Sequence, residues 1–438
     1  MDKVFKIIRK EKKRQREQLQ MIPSENMASA AVMKAVGSCM MNKYAEGYPK
    51  KRYYQGNPNV DSIESLCKSR VLKAFGLDKK KKWGVNVQPY SGSPANLAVY
   101  NALLEPGDKM MGMYLPDGGH LSHGWKLPGR KINITSKFWK SQFYHVDRKT
   151  QVLDYDQIEK QAGKFKPQII ISGGTAYPRD IKHRQLGQIA KKVGAFYMAD
   201  IAHEAGLIAA GVLGSPFPHA DVVTFTTHKT FRGPRAGVIM ARKELMDKIN
   251  FSIFPGLQGG PHMHTISGIA VAAKEMMTPG FKKYAQQVVK NAKVLAKELK
   301  QYGFDIVSGG TDKHLVLIDL RNKQLSGWVV AWALEMANII TNRNTVPYDT
   351  ALPYYPSGLR LGTPILTTRG MKEKEMVKAA KWINEVVEQV KDERLPKEKK
   401  ARNEFAKQFK KRISQDKWLR QKREEIAKFA RQYPVPGV

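Results

Sequence analysis

The stretch that decides the fold is Val222-Val223-Thr224-Phe225-Thr226-Thr227-His228-Lys229-Thr230. Its run of β-branched and aromatic residues predicts a buried strand at 222–226. A charged lysine at the end of such a strand is costly, so burial would lower the pKa of Lys229 and make its amine a usable nucleophile. In so basic a chain, Lys229 could equally be an ordinary exposed lysine in a loop. The neighbouring motifs distinguish a buried, reactive lysine from an exposed one.

A second apolar run, at 195–199, leads into Asp200-Ile201-Ala202-His203. Ligands of open α/β sheets bind at the carboxyl ends of the strands. A carboxylate at that position could pair with a protonated pyridine nitrogen and strengthen the ring as an electron sink, and His203 could touch the same ring. Asp200 could equally cap the following helix.

The turn Tyr90-Ser91-Gly92-Ser93 joins a predicted strand at 84–88 to a predicted helix at 93–104. Small residues let backbone N–H groups approach a phosphate, and a helix N-terminus adds favourable partial charge. Such turns are common, so this signal is weak by itself. Along the chain, however, a phosphate-binding turn, an aspartate and a lysine follow one another in the order expected for a fold-type-I pyridoxal-phosphate enzyme.

The alternation of strand and helix patterns over 61–275 extends this prediction to the whole fold. Besides 84–88 and 222–226, the predicted strands are 109–113, 131–135, 168–172, 195–199 and 237–241. With helices between most of them, the pattern predicts an α/β fold whose large domain holds a mostly parallel seven-stranded sheet. A helix at 280–300, strands at 305–307 and 315–319 and a helix at 327–336 predict a smaller C-terminal α/β domain.

The expected division of the chain has three parts. An N-terminal helix and arm take residues 1–45, the large cofactor-binding domain takes 46–275, and the small domain takes 276–438. The small domain should end in a basic amphipathic helix at about 404–432.

Composition narrows the possible functions. The chain has 438 residues and two cysteines, Cys39 and Cys67, which exclude a disulfide framework and four-cysteine zinc sites and suggest a reducing compartment. No apolar run approaches the roughly 18 residues of a membrane span. The basic start lacks the composition of a transit peptide, so we expect a cytoplasmic protein. We expect no metal site.

The net charge of +36 is unusual, with 75 Lys and Arg against 39 Asp and Glu. Such an excess could mark a protein that binds nucleic acid. The positive residues are spread from Lys3 to Arg431, which favours a solvated basic surface, with nucleic-acid binding at most a secondary property.

Further motifs give these pieces a specific family resemblance. They are Ile22-Pro23-Ser24-Glu25-Asn26, Lys43-Tyr44-Ala45-Glu46-Gly47-Tyr48-Pro49, Lys51-Arg52-Tyr53-Tyr54, Gly118-Gly119-His120-Leu121-Ser122-His123-Gly124, Gln258-Gly259-Gly260-Pro261 and Gly358-Leu359-Arg360-Leu361-Gly362-Thr363-Pro364. With them, the sequence resembles serine hydroxymethyltransferases over nearly its whole length.

The resemblance implies a pyridoxal 5'-phosphate site with assigned roles. Lys229 would hold the cofactor covalently, His120 would stack on its ring, and Asp200 would pair with the ring nitrogen. His203 and Thr175 would lie by the ring hydroxyl, and Thr226 and His228 adjoin the lysine in the same site. The phosphate would be bound by Ser91, Gly92 and Ser93, together with Tyr44 and Gly260 of the partner subunit.

The same resemblance implies the substrate site. Arg360 would bind the carboxylate of serine, with Ser24 and with Tyr54 of the partner subunit, because a guanidinium binds a carboxylate bidentately. Glu46 of the partner subunit would be the acid–base group near the serine hydroxyl. Tetrahydrofolate, the co-substrate, would lie near Glu46, the backbone from Leu115 to Gly119, and Asn344. Shared sites imply a homodimer, and the sequence does not decide between a dimer and a tetramer.

The activity implied is the reversible transfer of the serine hydroxymethyl carbon to tetrahydrofolate, giving glycine and 5,10-methylenetetrahydrofolate. Some positions depart from the family pattern, among them Gln55, Pro178 and Glu204, which stands where an apolar residue is common. Two alternatives stay open. One is a folate-independent aldolase of β-hydroxy amino acids on the same scaffold, and the other is a nucleic-acid-binding protein built on an inactive enzyme fold.

Overall fold

The computed structural model describes residues 2–79, 81–127 and 129–437. The first elements of the chain are α1 (Lys3–Glu17), β1 (Leu19–Gln20), α2 (Ala30–Val36), β2 (Gly47–Tyr48), β3 (Lys51–Arg52) and α3 (Pro58–Ala74), of which the first three belong to the N-terminal helix and arm. Asp2 caps the first helix, since its carboxylate accepts a hydrogen bond from the Val4 amide at 2.7 Å. This helix ends at Glu17, because the chain continues as β1, which pairs in parallel with residues 339–340 far along the chain.

A seven-stranded sheet forms the centre of the next region. Its strands are β4 (Trp83–Asn86), β5 (Lys109–Met113), β8 (Lys140–Tyr144), β9 (Ile169–Ser172), β10 (Phe196–Asp200), β11 (Val222–Thr226) and β12 (Gly237–Arg242), and a small hairpin of β6 (Lys126–Leu127) and β7 (Arg130–Lys131) lies outside it. The order is β4-β12-β11-β10-β9-β5-β8. All pairings are parallel except those of β12, which runs antiparallel to both neighbours. The predicted mostly parallel seven-stranded sheet is confirmed.

Helices cover both faces of this sheet. They are α4 (Gly92–Leu103), α5 (Ile134–Phe138), α6 (Tyr155–Phe165), α7 (His183–Val193), α8 (Ala205–Ala209), α9 (Met246–Phe251) and α10 (Met263–Met276). In β9, Ile169 and Ile171 pack into one apolar cluster with α4, whereas Ile170 packs into another on the opposite face with α3 and α10. Burial on both faces explains why the strands read as continuous apolar runs.

The predicted strand at 131–135 is wrong. Asn133 caps α5 there, because its side-chain oxygen accepts the Thr135 amide at 3.0 Å, and Ile134 begins a helix. The seventh strand is β8 instead, an edge strand that pairs in parallel with β5. The β-branched residues of 131–135 indicated a strand, but the capping asparagine determined the local structure.

The C-terminal region has its own four-stranded antiparallel sheet, ordered β13-β14-β17-β16. Its elements are α11 (Pro279–Gln301), β13 (Asp305–Ile306), β14 (Leu315–Asp319), α12 (Gly327–Met336), β15 (Ile339–Ile340), β16 (Asn342–Asn344), β17 (Gly358–Gly362), α13 (Pro364–Thr368), α14 (Glu373–Gln389), α15 (Lys399–Gln415) and α16 (Lys417–Ala430). The predicted single helix at 404–432 is wrong, since the helix breaks at Asp416, whose carboxylate caps α16 through the Leu419 amide at 2.8 Å.

Arg369 joins the two ends of the chain. Its buried guanidinium donates to carbonyl oxygens of Gln18 at 2.8 Å and Arg16 at 3.1 Å near the end of α1, and to Tyr433 at 3.1 Å after α16. The carbonyls that a helix leaves free at its C-terminus favour such a cation. Among the described residues, no helix is both long enough and apolar enough to cross a membrane.

Candidate active site

A cavity of about 310 Å³ lies at the carboxyl ends of β10 and β11. The N-terminus of α4 and the arm close it from other sides. It is lined by Ser24, Glu25, Ser91, Gly92, Ser93, His120, Asp200, Ala202, Thr226, His228, Lys229 and Arg235. The structure therefore brings together Lys229, Asp200 and the Ser91–Ser93 turn, the three pieces that the sequence analysis placed in one site. We call this space the Lys229 cavity.

Lys229 follows β11 by three residues and is only 8% exposed. No hydrogen bond or ion pair joins its amine to another described residue. Burial disfavours the charged form and lowers the pKa of Lys229 from the ordinary 10.5 to about 8. The neighbouring carboxylate of Asp200 opposes that shift, and the cation of Arg360 adds to it. The result is an amine that is neutral in part near neutral pH and is free to react.

Asp200 ends β10 and points a carboxylate into the same cavity. Its Oδ2 atom accepts hydrogen bonds from Asn96 Nδ2 at 2.8 Å and from His123 Nε2 at 3.1 Å, and its Oδ1 atom accepts the Ala202 amide at 3.0 Å. Burial by itself would raise the pKa of Asp200, but the hydrogen bond and charge of His123 outweigh burial and hold that pKa below its usual range. The carboxylate is therefore anionic and can stabilise a cationic ring nitrogen.

Asn96, His123 and Thr224 support this carboxylate, and the sequence analysis gave none of them a role. Thr224 donates to Asn96 Oδ1 at 2.7 Å, and Asn96 Nδ2 also donates to Ser122 at 2.9 Å. Asn96 is 1% exposed although it lies on an otherwise apolar helix face. The sequence did contain a signal, a polar Asn96 just after the predicted phosphate-binding turn. Its partner Asp200, however, lies more than a hundred residues away in the sequence.

His120 lines the cavity with a neutral ring. Burial lowers the pKa of His120 to about 4, and its Nδ1 atom lies 2.7 Å from the Ser122 hydroxyl. A neutral imidazole is suited to stack on an aromatic ring. His203 lies behind the lining instead, with Nδ1 3.1 Å from Nε2 of His314. His228 reaches the cavity, and its Nδ1 atom has no hydrogen-bond partner among the described residues.

The N-terminus of α4 offers an anion-binding position. Ser91 occupies the cap position but makes no side-chain cap hydrogen bond, so the first backbone N–H groups of this 12-residue helix stay available. Gly92 is required there because a Cβ atom would approach Cγ2 of Thr226 to 2.7 Å. Arg235, which was not among the predicted site residues, adds a cation to the same lining.

Arg360 comes from the second sheet, in the middle of β17, and is 6% exposed. It donates from Nη1 to the Thr175 carbonyl at 2.6 Å and from Nε to Asn342 Oδ1 at 3.0 Å. The Thr175 amide in turn donates to the Gly118 carbonyl at 2.6 Å. Arg360 thereby connects β17 to the loop that carries Gly119 and His120.

Leu115 and Asn344, predicted to lie near folate, do not line the Lys229 cavity. Leu115 opens a short 3₁₀ turn before Gly118, and Asn344 ends β16, where its Nδ2 atom donates to the Thr345 carbonyl at 2.7 Å. Arg360 lies between the two segments that carry them, since it bonds to Asn342 of β16 and, through Thr175, to Gly118 after the turn.

A second group of predicted residues lies together but outside that cavity. The Tyr44 hydroxyl donates to Glu46 Oε1 at 3.2 Å, and the Tyr44 ring meets the Tyr54 ring edge to face at 4.9 Å between centroids. A Cβ atom on Gly260 would lie 3.3 Å from Tyr44 Cζ, so the glycine lets the ring lie on the backbone. We call Tyr44, Glu46, Tyr54 and Gly260 the tyrosine cluster. Tyr90, which precedes Ser91, links it to the cavity by donating to the Gly260 carbonyl at 2.8 Å.

The geometry also brings three possible metal ligands together. One ligand atom each of His120, His123 and Asp200 lies within 4.8 Å of the others. Two of the three already bond to each other, since His123 donates to Asp200. The sequence analysis predicted no metal, and this arrangement is better explained as support for the Asp200 carboxylate.

The chain matches known proteins over nearly its whole length. A model of the family described as serine hydroxymethyltransferase matches residues 1–383. The cytosolic serine hydroxymethyltransferase of Oryctolagus cuniculus is 47% identical over 99% of this chain and 93% of its own length. The mitochondrial serine hydroxymethyltransferase of Saccharomyces cerevisiae is 46% identical over 99% and 92%. Serine hydroxymethyltransferase 3, chloroplastic, of Arabidopsis thaliana is 47% identical over 99% and 83%. The chain therefore belongs to the serine hydroxymethyltransferase family.

Proposed function

We propose that this chain transfers the hydroxymethyl carbon of serine reversibly to tetrahydrofolate, giving glycine and 5,10-methylenetetrahydrofolate, with pyridoxal 5'-phosphate as its cofactor. Family membership gives the reaction and the fold-type-I scaffold. The observation that carries the proposal is the buried amine of Lys229, which has no hydrogen-bond partner among the described residues. It shares one cavity with an anionic Asp200 and with the N-terminus of α4, which has no side-chain cap.

The residues of the Lys229 cavity fit this cofactor part by part. Lys229 would hold it covalently, Asp200 would keep the ring nitrogen protonated, and His120 would stack on the ring. Ser91, Gly92 and Ser93 would bind the phosphate at the start of α4. Thr226 and His228 line the same cavity, and Thr175 and His203, which are not part of its lining, would complete the site. When bound, the cofactor supplies an electron sink for breaking the Cα–Cβ bond of serine.

Arg360 would bind the substrate carboxylate. Its Nη1 and Nε atoms are held by Thr175 and Asn342, and Nη2 donates to no other described residue. This arrangement fixes the plane of the guanidinium and leaves a donor for the carboxylate. Ser24 lines the cavity on the arm side and would assist, together with Tyr54 of the partner subunit.

Glu46 would act as the acid–base group for the proton of the serine hydroxyl. Among the described residues of its own chain, only the Tyr44 hydroxyl donates a hydrogen bond to the Glu46 carboxylate, and Glu46 does not line the Lys229 cavity. We infer that the tyrosine cluster of one subunit completes the Lys229 cavity of another, which requires a homodimer and permits a tetramer. Tetrahydrofolate would then lie between Glu46 of the partner subunit and the segment with Leu115, Gly119 and Asn344.

The domain division and the compartment stay proposals as well. Separate sheets and separate apolar clusters support a large domain over 46–275 and a small one over 276–438, with an arm over 1–45. A cytoplasmic location stays a prediction from composition, since the relatives include cytosolic, mitochondrial and chloroplastic proteins.

The test is to incubate the purified, cofactor-loaded protein with serine, with and without tetrahydrofolate, and to measure glycine and methylenetetrahydrofolate. The proposal expects both products in equal amounts and strict dependence on folate. Visible cofactor absorbance with serine cleavage that ignores folate would instead identify a folate-independent aldolase of β-hydroxy amino acids.

A further inference from the structure

A buried ion pair connects the two sheets directly behind the Lys229 cavity. Lys313 Nζ donates to Glu204 Oε1, and the two side chains are 1% and 7% exposed. Glu204 stands between β10 and α8 of the large sheet region, whereas Lys313 comes two residues before β14 of the second sheet. Glu204 also occupies a position where the family resemblance leads us to expect an apolar residue, so the resemblance does not explain the pair.

The residues next to this pair touch as well. His203 precedes Glu204, His314 follows Lys313, and their rings stack with centroids 5.3 Å apart and with ring nitrogens at 3.1 Å. The dipeptide His203-Glu204 therefore faces the dipeptide Lys313-His314 of the other sheet region. The two are joined by one ion pair and by one contact between imidazole rings. A small void beside them is lined by Glu204, Lys313 and Asp200, so the pair lies close to Asp200 as well.

Stability alone is a poor reason for such a pair. Removing two charges from water is costly, and apolar residues of similar size stabilise a core as well or better. A buried pair does, however, set the local field, because interactions between charges are strong where water is excluded. The charged groups that act on the Lys229 amine are Asp200, Glu204, Arg235 and Arg360. The neighbouring rings of His120, His203, His228 and His314 are neutral, because burial lowers the pKa of each.

We propose that Glu204 and Lys313 are positioning residues for Lys229. Their ion pair holds the loop after β10 against the segment before β14, and this keeps the His203 ring in contact with the His314 ring. The pair also offsets the negative charge of Glu204 with the positive charge of Lys313 close to Lys229. This inference rests on the proposed role of Lys229 as the cofactor lysine. It goes beyond that role because it assigns a function to two residues that touch neither cofactor nor substrate.

The test compares the wild-type protein with Glu204→Gln, Lys313→Met and the double variant. Each protein is freed of cofactor, mixed with pyridoxal phosphate across a pH series, and followed by visible absorbance to find the pH midpoint of covalent attachment. Glu204→Gln removes an anion and should lower the midpoint by about 0.5–1 pH unit, whereas Lys313→Met leaves that anion unbalanced and should raise it by a similar amount. The double variant should return close to the wild-type midpoint.

The opposite signs separate this role from simple structural damage. Equal midpoints in all four proteins, or shifts of both single variants in the same direction, would overturn the inference. Glu204→Asp, which keeps the charge, is the matched control and should keep the wild-type midpoint even where Glu204→Gln folds poorly; a shift as large as that of Glu204→Gln would also overturn it. Failure of the wild-type protein to attach the cofactor at all would refute the proposed function of Lys229 itself.

Discussion

The Lys229 cavity and the tyrosine cluster are built in opposite ways. In the cavity, Lys229 and Asp200 are 8% and 7% exposed, and Asp200 has three hydrogen bonds from its own chain. In the cluster, Tyr44 and Tyr54 are 56% and 42% exposed, and Glu46 has only Tyr44 as a side-chain partner among the described residues. Exposed aromatic side chains are typical of surfaces that become buried on association. The difference supports the proposal that one chain supplies Lys229 and Asp200 to a cofactor site, whereas its Glu46 acts in the site of a second chain.

Lys229→Ala should have the largest effect, because it removes the nucleophile around which the cavity is built. Turnover should fall by at least about 1,000-fold, and the absorbance of covalently attached cofactor should be absent. Lys248→Ala, at an exposed lysine of α9, is the matched control and should behave like the wild type. Normal turnover in Lys229→Ala would refute the assignment of the cavity.

Glu46→Gln should separate the two regions. The tyrosine cluster is not needed to attach the cofactor covalently, so the visible absorbance should stay, whereas folate-dependent turnover should fall roughly 100- to 10,000-fold. Absorbance and turnover are measured on the same sample. Loss of the cofactor would mean that Glu46 has a structural role.

Arg360→Lys should have a smaller effect that is confined to the substrate. A lysine keeps the charge but loses the planar pair of donors, so the KM for serine should rise roughly 10- to 100-fold with a weaker effect on kcat. Cofactor attachment without serine should be unchanged. An unchanged KM for serine would mean that Arg360 does not bind the substrate carboxylate.

The pH dependence of cofactor attachment should be set by Lys229 and the charges around it, and not by the tyrosine cluster. Attachment needs the neutral amine, and the pKa of Lys229 is about 8. The rate should therefore level off above pH 8 and fall about tenfold per unit below it, rather than rise up to 10.5 as for an exposed lysine. Tyr44→Phe should leave this profile in place, because the hydrogen bond to Glu46 raises the pKa of Tyr44 away from this range. A profile that rises to pH 10 would show that Lys229 is not buried in solution.

The sequence predicted best where local pattern and burial agree. The bounds of β5, β11, β14 and α12 are confirmed, because each is an apolar run between clear turns. The prediction failed where a single polar side chain determines where a helix begins, as Asn133 does for α5 and Asp416 does for α16. The support of Asp200 by Asn96 and His123 could not be predicted, since it depends on α4 and the His120 loop approaching β10 in space. The Glu204–Lys313 pair depends in the same way on contact between two sheets.

The most direct test of the central claim is to mix Lys229→Ala with Glu46→Gln under conditions that exchange subunits. If Glu46 acts across the subunit boundary, each hybrid dimer contains one intact site, so equal mixing should restore about a quarter of the wild-type turnover from two inactive proteins. If Glu46 acts within its own chain, no site in the mixture has both groups. Turnover that stays at the level of the separate variants, after subunit exchange has been verified, would contradict the account.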